Sequence, residues 1–159
     1  MNSRPAAPSI SSVADPAHSV DQLPSLTNPH YAQLGGHTAV VRLVDAFYAQ
    51  MDHLPEARHI RAMHPPDLSA VKSVLVRFLC EWLGGPADYS AQRGHPRLRR
   101  RHLPFPIGAA ERDAWLACMR GALDQLDVDP RLKEQLMQAF FRTADFLRND
   151  PQHHHGVQR

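Results

Sequence analysis

The residues best suited to chemistry lie together in Gly94-His95-Pro96-Arg97-Leu98-Arg99-Arg100-Arg101-His102-Leu103-Pro104-Phe105-Pro106-Ile107. Pro96 suits the first position of a short helix, where its missing N–H would have no partner anyway. Pro104 disfavours helical geometry at Leu103, so that helix is expected to end near His102. His102 then occupies a last helical turn, with Leu98 four residues earlier on the same face. An imidazole beside an apolar residue, with cations around it, suits a metal-centred, apolar, anionic ligand. The plain alternative is a solvated arginine face with a hydrogen-bonded surface histidine, or a small nucleic-acid patch.

Haem answers the first description, with an iron that takes a nitrogen ligand, an apolar ring and two carboxylates that pair with arginine. Arg97, Arg99 and Arg101 are the candidate carboxylate partners. Their spacing of two spreads them around a helix, and Arg101, next to the histidine, is favoured.

The elements that must position this stretch are helical. Apolar residues at 40, 44, 47, 48 and 51 give a one-sided helix over 37–53, after a short helical start at 29–34 and the Gly35-Gly36 break. A short turn of helix is expected over 56–62. Asp67 is a good N-cap, and Leu68, Val71, Leu75, Phe78 and Trp82 then fall at steps of three and four. Gly84-Gly85-Pro86 stops that helix, and 86–95 reads as loop. A third long helix is expected over about 109–126, with Trp115, Cys118 or Met119, Ala122 and Leu126 inward. Asp129-Pro130 opens the last, over about 130–149, with Leu132, Leu136, Phe140, Ala144 and Leu147 inward. No strand pattern emerges, so the fold class is all-α.

Residues 1–28, rich in Ser, Pro and Ala and without period, read as a disordered extension. One domain over 29–149 and a flexible polar tail over 150–159 complete the organisation, and His153-His154-His155 in the tail could bind metal weakly. A net charge of +2 argues against a strong polyanion partner, and so against nucleic acid. The two cysteines, Cys80 and Cys118, fall on apolar helix faces and read as buried free thiols in a reducing compartment. No apolar run nears the length of a membrane span, and the N-terminus lacks a secretory pattern, so a cytoplasmic location is expected.

Gly84-Gly85-Pro86, Tyr89 to Arg93, Gly94 to His102, Pro104-Phe105 and Glu111-Arg112-Asp113-Ala114-Trp115 together resemble the truncated haemoglobins, most closely group II, the O-type. Phe47-Tyr48 and the two Gly-Gly pairs fit the same pattern, and the resemblance spans about residues 30–149. It implies a 2-over-2 helical sandwich around haem b. It matches His102 to the proximal histidine that ligates iron, and not His95. Tyr48, His64 and Trp115 match the distal residues that face a bound gas. Leu75 and Phe78 would lie over the porphyrin, with Phe47, Leu98 and Arg101 completing the cofactor contacts. Val71 stands where other globins often carry a polar gate residue.

Oxygen held at ferrous haem carries partial negative charge and favours donors such as a tyrosine hydroxyl, an indole N–H or an imidazole N–H. A hydrogen bond to a charged acceptor contributes about 1.5–3 kcal/mol, so two could slow oxygen release by roughly two to four decades. The set implies a protein that binds O2, NO and CO for scavenging, sensing or redox chemistry, in preference to oxygen delivery. The alternative is a haem enzyme with peroxidase-like, nitric oxide dioxygenase or nitrite reductase activity. It would draw electrons from a separate reductase, since no flavin or nicotinamide motif is visible. Either a monomer or a homodimer is compatible with the sequence. A cofactor-free module using the arginine run on nucleic acid is the remaining class, and it predicts steeply salt-dependent binding.

Overall fold

The computed structural model describes residues 28–150. The chain forms eight α-helices among these residues: α1 His30–Leu34, α2 Gly36–His53, α3 Arg58–Ala62, α4 Ser69–Trp82, α5 Asp88–Arg93, α6 Leu98–His102, α7 Ala109–Gln125 and α8 Pro130–Phe146. No strand occurs among them. The four long helices pack as two layers, with α2 against both α4 and α7, and α7 against α8. This is the 2-over-2 sandwich, and one apolar core fills it. Its centre is the stripe of α2, Val40, Leu43, Val44, Phe47 and Met51, which meets Met119, Ala122 and Leu123 of α7 and Leu136 of α8. The spacing of these residues puts them on one face of each helix, so folding removes them from water together.

Local sequence explains most of the boundaries. Asp129 caps α8, its carboxylate accepting from the backbone N–H of Arg131 at 2.9 Å and of Leu132 at 3.3 Å, and Pro130 follows at the first helical position. Gly35 takes φ 121° at the α1–α2 junction, a backbone state that side chains resist. Tyr31 N–H donates to the Leu83 carbonyl at 2.9 Å, and the Asn28 side-chain amide donates to the Trp82 carbonyl at 3.0 Å. The end of α4 is therefore tied to the start of the described chain. The remainder of the expected extension and tail, including His153 to His155, lies outside the described residues.

Four expectations need correction. Residues 86–95 are not simply loop: α5 occupies Asp88–Arg93. Tyr89 is buried edge-on against Phe78, and Glu81 accepts from Ser90 N–H at 2.8 Å and from the Ser90 hydroxyl. Tertiary contacts thus hold a six-residue helix too short to show a period. Pro96 does not start the helix bearing His102. Arg97 turns left-handed at φ 46°, and α6 begins at Leu98. Asp67 acts one residue outside the N-cap, which is Leu68, and still accepts from Ser69 N–H at 2.9 Å and Ser69 Oγ at 2.7 Å. Finally, α8 stops at Phe146, which frees residues 147–149 to turn back toward α6.

Candidate functional site

His102 ends α6, as expected, and is half-buried. Its Nδ1 lies 2.6 Å from the Leu98 carbonyl oxygen, one helical turn earlier. A carbonyl only accepts, so Nδ1 carries the proton and the neutral ring presents a bare Nε2. That nitrogen has no hydrogen-bond partner among the described residues. A backbone carbonyl that fixes the tautomer and orientation of an imidazole is the usual support of a metal-ligating histidine.

The turn after His102 is held from a distance. Asn149 Nδ2 donates to the carbonyl oxygens of His102 at 3.1 Å and Phe105 at 2.8 Å. Its Oδ1 accepts from Ile107 N–H at 2.9 Å. Arg99 donates to the Phe146 carbonyl at 3.1 Å, with its guanidinium over that ring. Arg101 Nε donates to the Pro96 carbonyl at 2.9 Å, so one edge of its fork is committed to its own turn and the rest is exposed.

The second half of the site comes from α2, α7 and the segment after α3. Tyr48 is 5% exposed, and its ring stands edge-on to that of His64, with centroids 5.7 Å apart. Phe47 bridges Tyr48 at 5.0 Å and Trp115 at 5.1 Å. Phe47 itself is 1% exposed and backs these rings from inside the core. Trp115 also meets Phe140 of α8 at 5.6 Å. The structure thus brings Tyr48, His64 and Trp115 into one aromatic cluster. Leu75 and Phe78 are half-buried beside it on α4, with Val71, and Leu98 is half-buried on α6.

Three polar atoms of the cluster have no partner among the described residues: Tyr48 Oη, Trp115 Nε1 and His64 Nε2. None of them belongs with the fully enclosed unpaired atoms, so each reaches open space. Burial pushes the Tyr48 hydroxyl up to about 12, against a smaller opposing effect of the nearby Arg61 guanidinium. The hydroxyl is a permanent donor near neutral pH. His64 differs from expectation. Its Nδ1 lies 2.8 Å from the Ile60 carbonyl oxygen, so the ring's N–H is already used. The neutral ring presents an acceptor, and two donors remain where three were expected.

Sequence reasoning missed the residues that hold the cluster in place. Arg61 donates to Asp52 at 2.6 Å and to the carbonyls of Pro65 at 3.1 Å and Pro66 at 3.2 Å, which fixes the segment after His64. Arg112 binds Asp145 at 2.6 Å and joins α7 to α8 just before Trp115. Glu111 accepts from Gly108 N–H at 2.9 Å at the start of α7, and His59 lies 3.3 Å from its other oxygen. The Arg61–Asp52, Arg112–Asp145 and His59–Glu111 pairs span distant segments and leave no local pattern. Among the described residues no cluster of His, Cys, Asp and Glu could hold a bare metal ion. The nitrogen at His102, the half-buried apolar walls and the 58% exposed Leu103 beside them instead suit a large apolar group with one axial ligand. The residues present therefore fit haem.

A 2-over-2 helical sandwich presenting a terminal histidine on a short helix and a Tyr–His–Trp cluster has the frame of a truncated globin. The sequence model of the bacterial-like globins matches residues 29–149. The group 2 truncated hemoglobin YjbI of Bacillus subtilis is 37% identical over 114 residues, 72% of this chain and 84% of that relative. The solved group II 2-on-2 hemoglobin from Agrobacterium tumefaciens is 42% identical, with a TM-score of 0.74 over 80% of this chain and 98% of that one. The structure of the truncated oxygen-avid haemoglobin from Bacillus subtilis is 36% identical, with a TM-score of 0.69 over 76% of this chain and 98% of its own. The chain belongs to the bacterial-like globins, within the group II truncated haemoglobins. As a globin it is a haem protein that binds diatomic gases such as oxygen.

Proposed function

We propose that this globin holds haem b on His102 and retains oxygen, nitric oxide or carbon monoxide for scavenging, sensing or redox chemistry, in preference to oxygen delivery. The observation that carries the reading is the pair of unpartnered donors, Tyr48 Oη and Trp115 Nε1, set in one aromatic cluster around the buried Phe47. Haem supplies the iron at which a diatomic gas binds. The protein supplies the rest. His102 would hold the iron through Nε2, Leu75, Phe78 and Leu98 would cover the ring, and Arg101 would pair with a propionate. Tyr48 and Trp115 would donate to the partially negative end of a bound gas, and those two hydrogen bonds would oppose its escape. The name of the Bacillus subtilis relative, oxygen-avid, supports the same behaviour here.

The buried free thiols Cys80 and Cys118 support a reducing, cytoplasmic setting, and among the described residues no helix is long and apolar enough to cross a membrane. An enzymatic role, peroxidase-like or in nitric oxide or nitrite chemistry, is the second reading, favoured by the acceptor nitrogen of His64. It would draw on a separate reductase.

Absorption spectra of the purified protein with added haem, oxidised, reduced, and reduced with carbon monoxide, test the reading. A strong Soret band that shifts with carbon monoxide is expected, followed by slow oxygen release in stopped flow. A colourless protein, or oxygen release as fast as from an open apolar pocket, would refute it.

A further inference from the structure

The chain has two tryptophans, and the fold joins them through a single ring. Trp82, the last residue of α4, stacks on Phe140 of α8 with centroids 4.8 Å apart and planes within 19° of parallel. Trp115 of α7 meets the same Phe140 at 5.6 Å, edge to face. Phe140 is 3% exposed, so the three rings make one enclosed line of contact across three helices. Its inner end, Trp115, belongs to the aromatic cluster of the gas site. Its outer end, Trp82, is half-buried. Trp82 Nε1 has no partner among the described residues and is not one of the fully enclosed unpaired atoms, so it reaches open space. The Asn28 amide on the Trp82 carbonyl holds this end of α4 in place.

Electrons cross packed protein fastest in short steps between groups that can be oxidised. An indole gives up an electron without first losing its proton, and at an exposed Nε1 that proton can then pass to water. Tyr48 is the competing donor at the inner end. Its hydroxyl has no acceptor among the described residues, so its oxidation would strand a proton in the cluster. Phenylalanine is too hard to oxidise, and Phe140 serves only as the bridge. We propose that Trp115, Phe140 and Trp82 form an electron path from the haem site to the surface, and that Trp82 is a separate substrate site where phenols are oxidised without entering the haem pocket. The open part of the indole gives an aromatic donor a surface to stack on. The assignment rests on the enzymatic reading above and adds to it a substrate class and a place of reaction.

The oxidant is hydrogen peroxide, and haem supplies the iron at which it is reduced. Its O–O bond breaks, it takes up two electrons and two protons, and it leaves as two waters. Each electron is drawn from Trp115, which refills from Trp82. Trp82 refills from a phenol, whose O–H bond breaks. The phenol gives one electron and one proton and departs as a phenoxyl radical, so two phenols are consumed for each peroxide.

The test treats the haem-loaded protein with hydrogen peroxide and a nitroso spin trap, and maps the adduct by mass spectrometry. We expect the adduct on Trp82 in the wild type and its loss in Trp115→Phe, with both compared per peroxide consumed. In Trp82→Phe, which keeps a ring against Phe140, guaiacol oxidation should fall by more than half while carbon monoxide association stays unchanged. Peroxide consumption without an adduct on Trp82 overturns the proposal, as does an adduct that survives Trp115→Phe. Guaiacol oxidation unchanged in Trp82→Phe, or a parallel fall in carbon monoxide association, also overturns it and leaves Trp82 a packing role. Wild-type protein that binds carbon monoxide yet consumes no peroxide would reject the enzymatic reading and the path with it, which separates that failure from failure of the path alone.

Discussion

Asn149 and His102 lie 47 residues apart, and the side-chain amide of the first donates to the backbone oxygen of the second at 3.1 Å. The same amide reaches the Phe105 carbonyl, and its oxygen receives the Ile107 N–H. One asparagine at the end of the last layer therefore clamps both flanks of Pro104. Its own N–H also donates to the Ile107 carbonyl at 2.9 Å, closing a short ladder. The rigidity that the prolines suggest at the end of α6 comes in good part from this remote side chain.

Removing the clamp should loosen the cofactor's ligand without touching it. Asn149→Ala deletes three hydrogen bonds to a turn that has no helical partners for them. We expect a stability loss of about 1–3 kcal/mol, since groups left half-paired cost more than the bonds contribute. Haem should transfer to a competing apoglobin at least several times faster. Thermal unfolding and the haem-transfer rate measure both effects. A variant indistinguishable from wild type in both would show that the prolines alone hold the turn.

Much of this was legible in the chain and some was not, for reasons that differ by residue. The stripes through Val40, Val44 and Phe47 and through Leu75 and Phe78 repeat at helical spacing, so a period reveals them and the all-α layers follow. Tyr48, His64 and Trp115 lie far apart in sequence, and only the resemblance to known globins joined them. Helix α5 escaped because six residues hold too little period, and its reasons, Tyr89 under Phe78 and Ser90 on Glu81, lie outside its own sequence. The tautomer of His64 could not be read at all. It depends on where the Ile60 carbonyl points, and no residue type encodes that.

His102 Nε2 is the nitrogen proposed to hold the haem iron. His102→Gly should lose most of its haem and much of its stability, because a cofactor that binds only the folded state stabilises it by mass action. Added imidazole should restore the Soret band, since the vacated space at the end of α6 matches the lost ring. Haem content unchanged in the variant, measured by the absorbance ratio, would move the ligand elsewhere.

The two donors should each slow oxygen release. Tyr48→Phe removes one hydroxyl and keeps the ring contacts with Phe47 and His64, while Trp115→Phe removes the indole N–H and keeps much of the bulk. At about 1.5–3 kcal/mol for a bond to a charged acceptor, each change should speed oxygen dissociation roughly ten- to a hundredfold. The pair are close enough to couple, so the double variant need not show the product of the single effects. Oxygen dissociation by stopped flow decides it, and a rate unchanged by Trp115→Phe would leave that side chain a packing role alone.

Alkaline conditions should destabilise the fold through the same buried groups. Burial pushes the Tyr48 hydroxyl from an ordinary 10.0 up to about 12, and the Cys118 thiol from 9.0 up to about 11. Folded values above unfolded ones mean that the native state keeps protons which the unfolded chain has already released. The resulting stability is fully present below about pH 9, and it falls as pH rises, first through the range of Cys118 and then through that of Tyr48. Denaturant unfolding from pH 8 to 12 should therefore show a steepening loss of stability. Cys118→Ala should flatten the lower part of that curve and Tyr48→Phe the upper part, even though each variant starts from a lower stability at pH 8. The informative quantity is the slope against pH, which cavity formation does not change. Slopes equal to wild type in both variants would mean that these groups ionise at ordinary values in the folded protein, and burial would not be what sets their protonation.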